Sequence, residues 1–515
     1  MKKQSLIKGT LILGIAGIFA KFLGLFFRWP LIMLIGEEGV GLYQMSYPLY
    51  MFFISAAAGV PLAVSKLVSE KNAVNDIEGS FEVFREALKL MVFLGTGLSI
   101  ILFVFAKPIV SILKWDGKAY YSLIGISFAP MVIYVMDVFR GFFQGQQNMN
   151  PTAISQIIEQ VGRVIGGVAL AFILYPKGIE YSAAGAAFGA TAGGVLGNIY
   201  LIGKYLKFKT NMPVKKLRVN SYIMNKLLKI AMPISMGAAA ASIMGLIDSA
   251  LVPQKLLQAG FTQNHATVLF AQLTGKAGLL VNIPLTLSVA LGYSIVPIIA
   301  EAYALRRREE INYKIEMSIK LSAAIALPCT LGLYYMAGPI FNLIFPGKGE
   351  GYLILKYLSL IVPFIIMTQT TTAILQATGH YIKPVINILI ACVVKVVITL
   401  ILVPMPEINI FGAVIASIAA YITSAFLNIL DMQKKLYVKL DYYKLFVRPV
   451  YASIIMMLGV LYAYSTALSR TASTGISCLI SIFMGIIIYV IFIMLFGVIE
   501  YGYVIKKIGR RTHTK

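Results

Sequence analysis

The chain is a succession of long apolar runs separated by short polar links. Runs of membrane-spanning length occupy about 8–35, 42–69, 84–106, 119–144, 152–175, 182–203 and 224–250. They continue at about 266–300, 316–345, 352–378, 382–404, 410–431, 446–467 and 474–503. A helix needs about 20 apolar residues to cross bilayer hydrocarbon. Each run therefore predicts one spanning helix, fourteen in all. Hydrocarbon offers no partner to backbone N–H and C=O groups, so a spanning segment satisfies them internally as a helix. The fold class expected is an all-α polytopic membrane protein. The first residues are basic, but no short apolar core with a cleavage site follows. The first run continues past Gly24 and reads as a retained helix.

Composition agrees. The 515 residues are 59% hydrophobic and 13% charged, with a mean hydropathy of +0.82, which excludes a soluble domain. A net charge of +24 would suit a nucleic-acid partner, except that the cations sit in alternate links. One set holds Lys2 and Lys3, then Lys66, Lys71 and Arg85, then Lys204 to Arg218, Arg306 to Arg308, Lys434 to Lys444 and Lys506 to Arg511. The other set holds Glu37, Glu38, Asp116, Glu180, Glu350 and Glu407. That is the positive-inside pattern, so nucleic acid is not expected as a partner. The expectation is a multi-pass protein of the cell membrane with both termini cytoplasmic. Cys329, Cys392 and Cys478 lie inside apolar runs without metal-type spacing, so neither disulfides nor zinc are expected. No Ser/His/Asp or Cys/His set can be assembled, which argues against an enzyme, and no cofactor is implied.

The chain also repeats itself. Pro48 and Pro61 match Pro284 and Pro297; Pro108 matches Pro339; Gln144 and Pro151 match Gln376 and Pro384; Gly185 matches Gly412. The offset stays between about 227 and 236, and an ordered, near-constant offset is the mark of a repeat. Runs 1–6 and 7–12 thus read as two parallel copies, a layout of rocking transporters with a midplane site. The expected organisation is an N-lobe over 1–210, a basic linker over 211–223 and a C-lobe over 224–440. Residues 441–515 hold the last two helices and a basic tail. Those two helices lie outside the repeat; their apolar centres serve either for packing or as a surface for a lipid tail.

Charges inside the spans set the sign of a substrate. Lys21 and Arg28 share one face of the first run with Gly24. A mid-bilayer cation is costly and turns to a cavity or a partner, although a long side chain near a helix end can instead reach the headgroups. Lys276 and Lys395 also have no acid within one turn, and Lys395 matches Arg163 in the repeat. Asp137 with Arg140, and Glu159 with Arg163, are spaced to neutralise each other locally; a structural role and proton movement are both open. Asp248 is either interfacial or an ion-coupling carboxylate. The unpaired balance is basic and favours an anionic substrate.

Several stretches resemble a known family: Lys8-Gly9-Thr10-Leu11-Ile12-Leu13, Lys21-Phe22-Leu23-Gly24, Arg28, and Ile35-Gly36-Glu37-Glu38-Gly39-Val40-Gly41-Leu42-Tyr43. So do Gly59-Val60-Pro61-Leu62-Ala63-Val64-Ser65-Lys66-Leu67 and Arg140-Gly141-Phe142-Phe143-Gln144-Gly145. Over its full length the chain resembles the multidrug/oligosaccharidyl-lipid/polysaccharide exporter superfamily, in its sporulation branch beside the lipid II flippases. The resemblance implies fourteen helices, two six-helix lobes around a cationic cavity, and a tail groove on the last two helices. The implied cargo is a polyprenyl-diphosphate-linked saccharide moved among membrane lipids, with a cell-wall synthase as a candidate partner. Val289-Ala290-Leu291-Gly292 also resembles the flippase pattern, with Lys276 near where those proteins carry an arginine. Their second-helix arginine is missing, since Tyr50-Met51-Phe52-Phe53 stands there. A drug or cation antiporter of the same superfamily, and a non-transporting scaffold for wall synthesis, are the alternatives.

Overall fold

The computed structural model of the protein describes residues 6–210, 221–438, 440, 441 and 443–498. Every regular element among them is helical, and thirteen helices there are long and apolar enough to cross a membrane. The all-α polytopic class is as expected. The count differs: the first candidate span, Phe26–Ala73, takes in parts of the first two runs. The linker residues 211–220 and the basic tail from 499 lie outside the described residues.

Proline sets many of the helix ends. A proline ring collides with the carbonyl four residues earlier and removes one N–H from the ladder. Helices accordingly stop at Ala57, Val104, Ser127 and Tyr335 and restart at Gly59, Ala106, Ala129 and Ala337. Each restart lies one or two residues before Pro61, Pro108, Pro130 or Pro339. Another break has a different cause. Inside Leu6–Ala57 the chain turns at Gly36, whose φ of 67° and ψ of −170° are open in practice to glycine alone.

The described chain divides into two compact units: Met1–Gly275 with Lys395–Ala413, and Lys276–Val394 with Val414–Lys515. The first unit contains Leu6–Ala57, Gly59–Ala73, Ile77–Val104, Ala129–Gly145, Asn150–Leu174, Ile179–Lys209 and Ser221–Gln258. Its tightest contact is between Asn150–Leu174 and Ile179–Lys209, where Gly189 meets Gly167 and Gly193 meets the Glu159 carbonyl. Small residues let the two backbones close up. Asp76 caps Ile77–Val104: its carboxylate accepts from Lys71 Nζ at 2.6 Å and Gly79 N–H at 2.8 Å. These bonds, the lysine's first, hold the carboxyl below its ordinary range.

The second unit contains Gly278–Ala304, Arg308–Tyr335, Val362–Ala377, Ile410–Leu436, Arg448–Thr471 and Thr474–Leu495. The last two pair with each other, and Tyr489 Oη donates to the Ala324 carbonyl at 2.5 Å. An apolar cavity of ≈ 260 Å³ lies among Ala323, Pro363, Met367, Phe426 and Phe446.

Candidate functional site

The site grows out of the Gly36 turn. It folds the second half of Leu6–Ala57 back so that Tyr43 meets Phe27 at 5.9 Å between rings and Tyr47 lies 5.9 Å beneath the Arg28 guanidinium. Tyr43, Tyr47 and Tyr50 are spaced i, i+4, i+7 and therefore share one helix face. Their rings form a ladder with centroid separations of 5.4 and 5.8 Å. Tyr43 and Tyr50 are buried, whereas Tyr47 and Arg28 are partly open. At the far end of the ladder Tyr50 Oη accepts from Arg163 at 3.4 Å.

Arg163 leads into a continuous ion-pair chain. Its guanidinium donates to Glu159 Oε1 at 3.0 Å, Glu159 Oε2 accepts from Arg140 at 3.0 Å, and Arg140 reaches Asp137 at 3.4 Å. Arg140 Nε also donates to Ser155 Oγ at 3.0 Å. The two local pairs read from sequence are thus one network, with Arg140 bridging two helices. Gly193 helps position it by letting Ile179–Lys209 approach the Glu159 backbone. Two carboxylates balance Arg140 and Arg163. Arg28 has no carboxylate partner among the described residues; its polar contact is the Thr274 carbonyl at 3.4 Å. Arg163 Nε is buried and has no hydrogen-bond partner there either.

Two cations expected to be free are not. No acid lies within a turn of Lys395, yet its Nζ donates to Asp248 Oδ2 at 2.7 Å and to the Met244 carbonyl at 3.0 Å. Lys395 is buried, its side chain only 2% exposed, while the Asp248 side chain is 17% exposed, and Asp248 Oδ1 has no partner among the described residues. Local spacing misses this bond because the acid stands on a different helix. Lys276, in the second unit, follows the same correction. It sits where the helical bonding widens to a π turn over Gln272–Ala277. Its Nζ donates to the carbonyls of Lys348 and Glu350 at 2.6 and 3.0 Å, and lies 5.6 and 5.5 Å from the Phe341 and Phe345 rings. The Lys21 side chain lies outside the described residues.

Sequence reading also missed the tyrosine ladder. Its signal is the i, i+4, i+7 spacing of Tyr43, Tyr47 and Tyr50, which in an apolar run equally suits core packing. Chemically, a guanidinium free of carboxylate can grip a phosphate or diphosphate with parallel hydrogen bonds, and the tyrosine hydroxyls add donors and acceptors beside it. No group of three His, Cys, Asp or Glu side chains among the described residues could hold a metal ion.

Known proteins share this architecture. Residues 6–303 match the model of the polysaccharide biosynthesis protein family. The chain is 28% identical over 447 residues to stage V sporulation protein B of Bacillus subtilis (strain 168), covering 85% of each chain. It is 26% identical over 446 residues to the lipid II flippase MurJ of the same organism, covering 82% of this chain and 81% of that one. Among solved structures, the inward closed conformation of lipid II flippase MurJ matches with a TM-score of 0.72 at 18% identity, over 94% of this chain and 98% of that one. An inward-facing multidrug resistance MATE family transporter matches at 0.69 and 16% identity, over 83% and 98%.

Proposed function

The chain belongs to the polysaccharide biosynthesis protein family, and we propose that it is a transporter flipping a polyprenyl-diphosphate-linked peptidoglycan precursor, of the lipid II type, across the cytoplasmic membrane. The observation that carries this reading is Arg28: a partly open guanidinium on an aromatic ladder, with no carboxylate partner among the described residues. A cargo whose charge is a diphosphate supplies the missing anion. The name of one Bacillus relative, lipid II flippase MurJ, supports the same substrate class, and the likeness to a sporulation protein supports a role in spore cortex synthesis. The repeat in the sequence supports alternating access of two six-helix lobes around a cationic cavity. Arg28, Lys21 and Arg163 are the residues assigned to the head group. Lys276 and Lys395 have to release the carbonyls or the carboxylate they now hold before they contact cargo. Exposed Leu458, Tyr462 and Phe483 on the last two helices suit the polyprenyl tail.

The test is transport by Arg28 variants reconstituted in vesicles. Losing a charge-assisted contact in a dehydrated site costs about 2–3 kcal/mol, or roughly 30- to 150-fold in affinity. Arg28→Ala abolishes flipping, and Arg28→Lys retains part of it because an ammonium keeps the charge but not the planar fork. Protein levels stay normal, since a cation without an acid partner takes its own desolvation cost away with it. Normal flipping by Arg28→Ala removes this residue from the site.

A further inference from the structure

A second basic site lies in the second unit, at the helix ends that the charge pattern assigns to the cytoplasmic surface. Gly278–Ala304 ends, Arg308–Tyr335 begins and Ile410–Leu436 ends around one concave pocket of ≈ 400 Å³. Its floor is apolar: Ile311 and Leu436 are each only 8% exposed and belong to the unit's hydrophobic core. Its rim is cationic, formed by exposed Arg306, Arg308 and Lys435. Tyr303 and Tyr437 wall it, the Arg308 guanidinium lying 5.4 Å from the Tyr437 ring.

Three features set this rim apart from an ordinary solvated charge run. None of its three cations forms an ion pair among the described residues, although Glu301, Glu309 and Glu310 are near in sequence. Glu310 is already held by Arg307 at 3.3 Å and by Lys314 at 2.5 Å. Arg306 and Tyr437 both take a positive φ of 54°, which non-glycine residues rarely adopt, so each helix ends with a bulky side chain delivered to the pocket. Finally, cations stand over an apolar floor. Free phosphate needs only the cations; a phospholipid uses both, with its phosphate on the rim and its glycerol and first methylenes on the floor. Basic pockets between helices at a membrane surface are suited to anionic headgroups.

We propose that the Arg306–Arg308–Lys435 pocket binds the headgroup of an anionic glycerophospholipid of the surrounding bilayer. The probe is phosphatidylglycerol, titrated into the full-length protein in phosphatidylcholine nanodiscs, with bound lipid read by native mass spectrometry and thermal midpoint recorded alongside. Phosphatidylglycerol is expected to be retained and to raise the midpoint, and phosphatidylcholine is not. Arg308→Gln and Lys435→Gln should each weaken retention roughly fivefold, while Lys66→Gln, which removes an exposed cation elsewhere, should leave it unchanged. Equal retention of phosphatidylcholine by the wild-type protein overturns the proposal without recourse to any variant. So does a midpoint shift reproduced in full by inorganic phosphate, or one displaced by polyprenyl phosphate, which would assign the pocket to free anion or to cargo. Equal loss with Lys66→Gln reduces the effect to bulk surface charge and also overturns it.

Discussion

At the scale of single residues, Arg28 and Lys395 show two fates of a cation within a membrane span. Arg28 has a ring and a carbonyl; Lys395 has a carboxylate at 2.7 Å and is fully enclosed. Removing one partner of a buried pair leaves the other charge desolvated, at a cost of about 3–5 kcal/mol, an upper bound here because the Asp248 side chain is 17% exposed. Lys395→Met should therefore lower stability strongly, while Lys395→Met combined with Asp248→Asn should recover most of the loss. A double-mutant cycle in denaturant measures the coupling, and a stable Lys395→Met single variant would show that the pair contributes little. The two fates were not separable in the sequence. Both cations lack an acid within one turn, and the bond to Asp248 spans 147 residues. The pairs at Asp137–Arg140 and Glu159–Arg163 were legible because helical spacing brings them together. Their union through Arg140 depends on how two helices pack, which spacing does not encode.

At the scale of elements, proline interrupts some helices and not others. The structure breaks its helices just before Pro61, Pro108 and Pro339, where the ring collides with the preceding turn, yet carries Pro48 and Pro328 inside continuous helices. The apolar runs at 42–69 and 316–345 pass through Pro61 and Pro339, so run length did not show those two breaks. The Gly36 turn departs from the sequence in another way. Sequence suggested a six-residue link over 36–41, but helix continues on either side of a single glycine. A Cβ at Gly36 meets nothing within 4 Å, so substitution there is costly through backbone conformation alone, by about 1–3 kcal/mol. Gly36→Ala is expected to lower the thermal midpoint and to reduce transport together, because the turn is what brings Tyr47 beneath Arg28. Gly41→Ala tests a different cause, since its Cβ collides with the Thr267 carbonyl. A Gly36→Ala protein with unchanged midpoint and transport would show that the turn is not what holds the ladder in place.

For the whole molecule, apolar run length and link charge carried most of the information, because the bilayer imposes both. They gave the polytopic class directly; the proposed anionic cargo rests on the cations within the spans and the family resemblance, and the geometry around Arg28 supports it. The inside assignment of the basic links is open to direct test in a variant whose three free cysteines, Cys329, Cys392 and Cys478, have been replaced. A cysteine at position 407 should react with an impermeant thiol reagent in intact cells, and one at 307 should not; the reverse labelling inverts the topology. Transport itself is tested most directly in sealed vesicles carrying a head-group-labelled lipid II-type precursor confined to the inner leaflet. With the reconstituted protein the label is expected to become accessible to an impermeant quencher, and in protein-free vesicles to stay protected. Label that remains protected in vesicles holding folded protein contradicts the assignment of this chain as a flippase for that cargo.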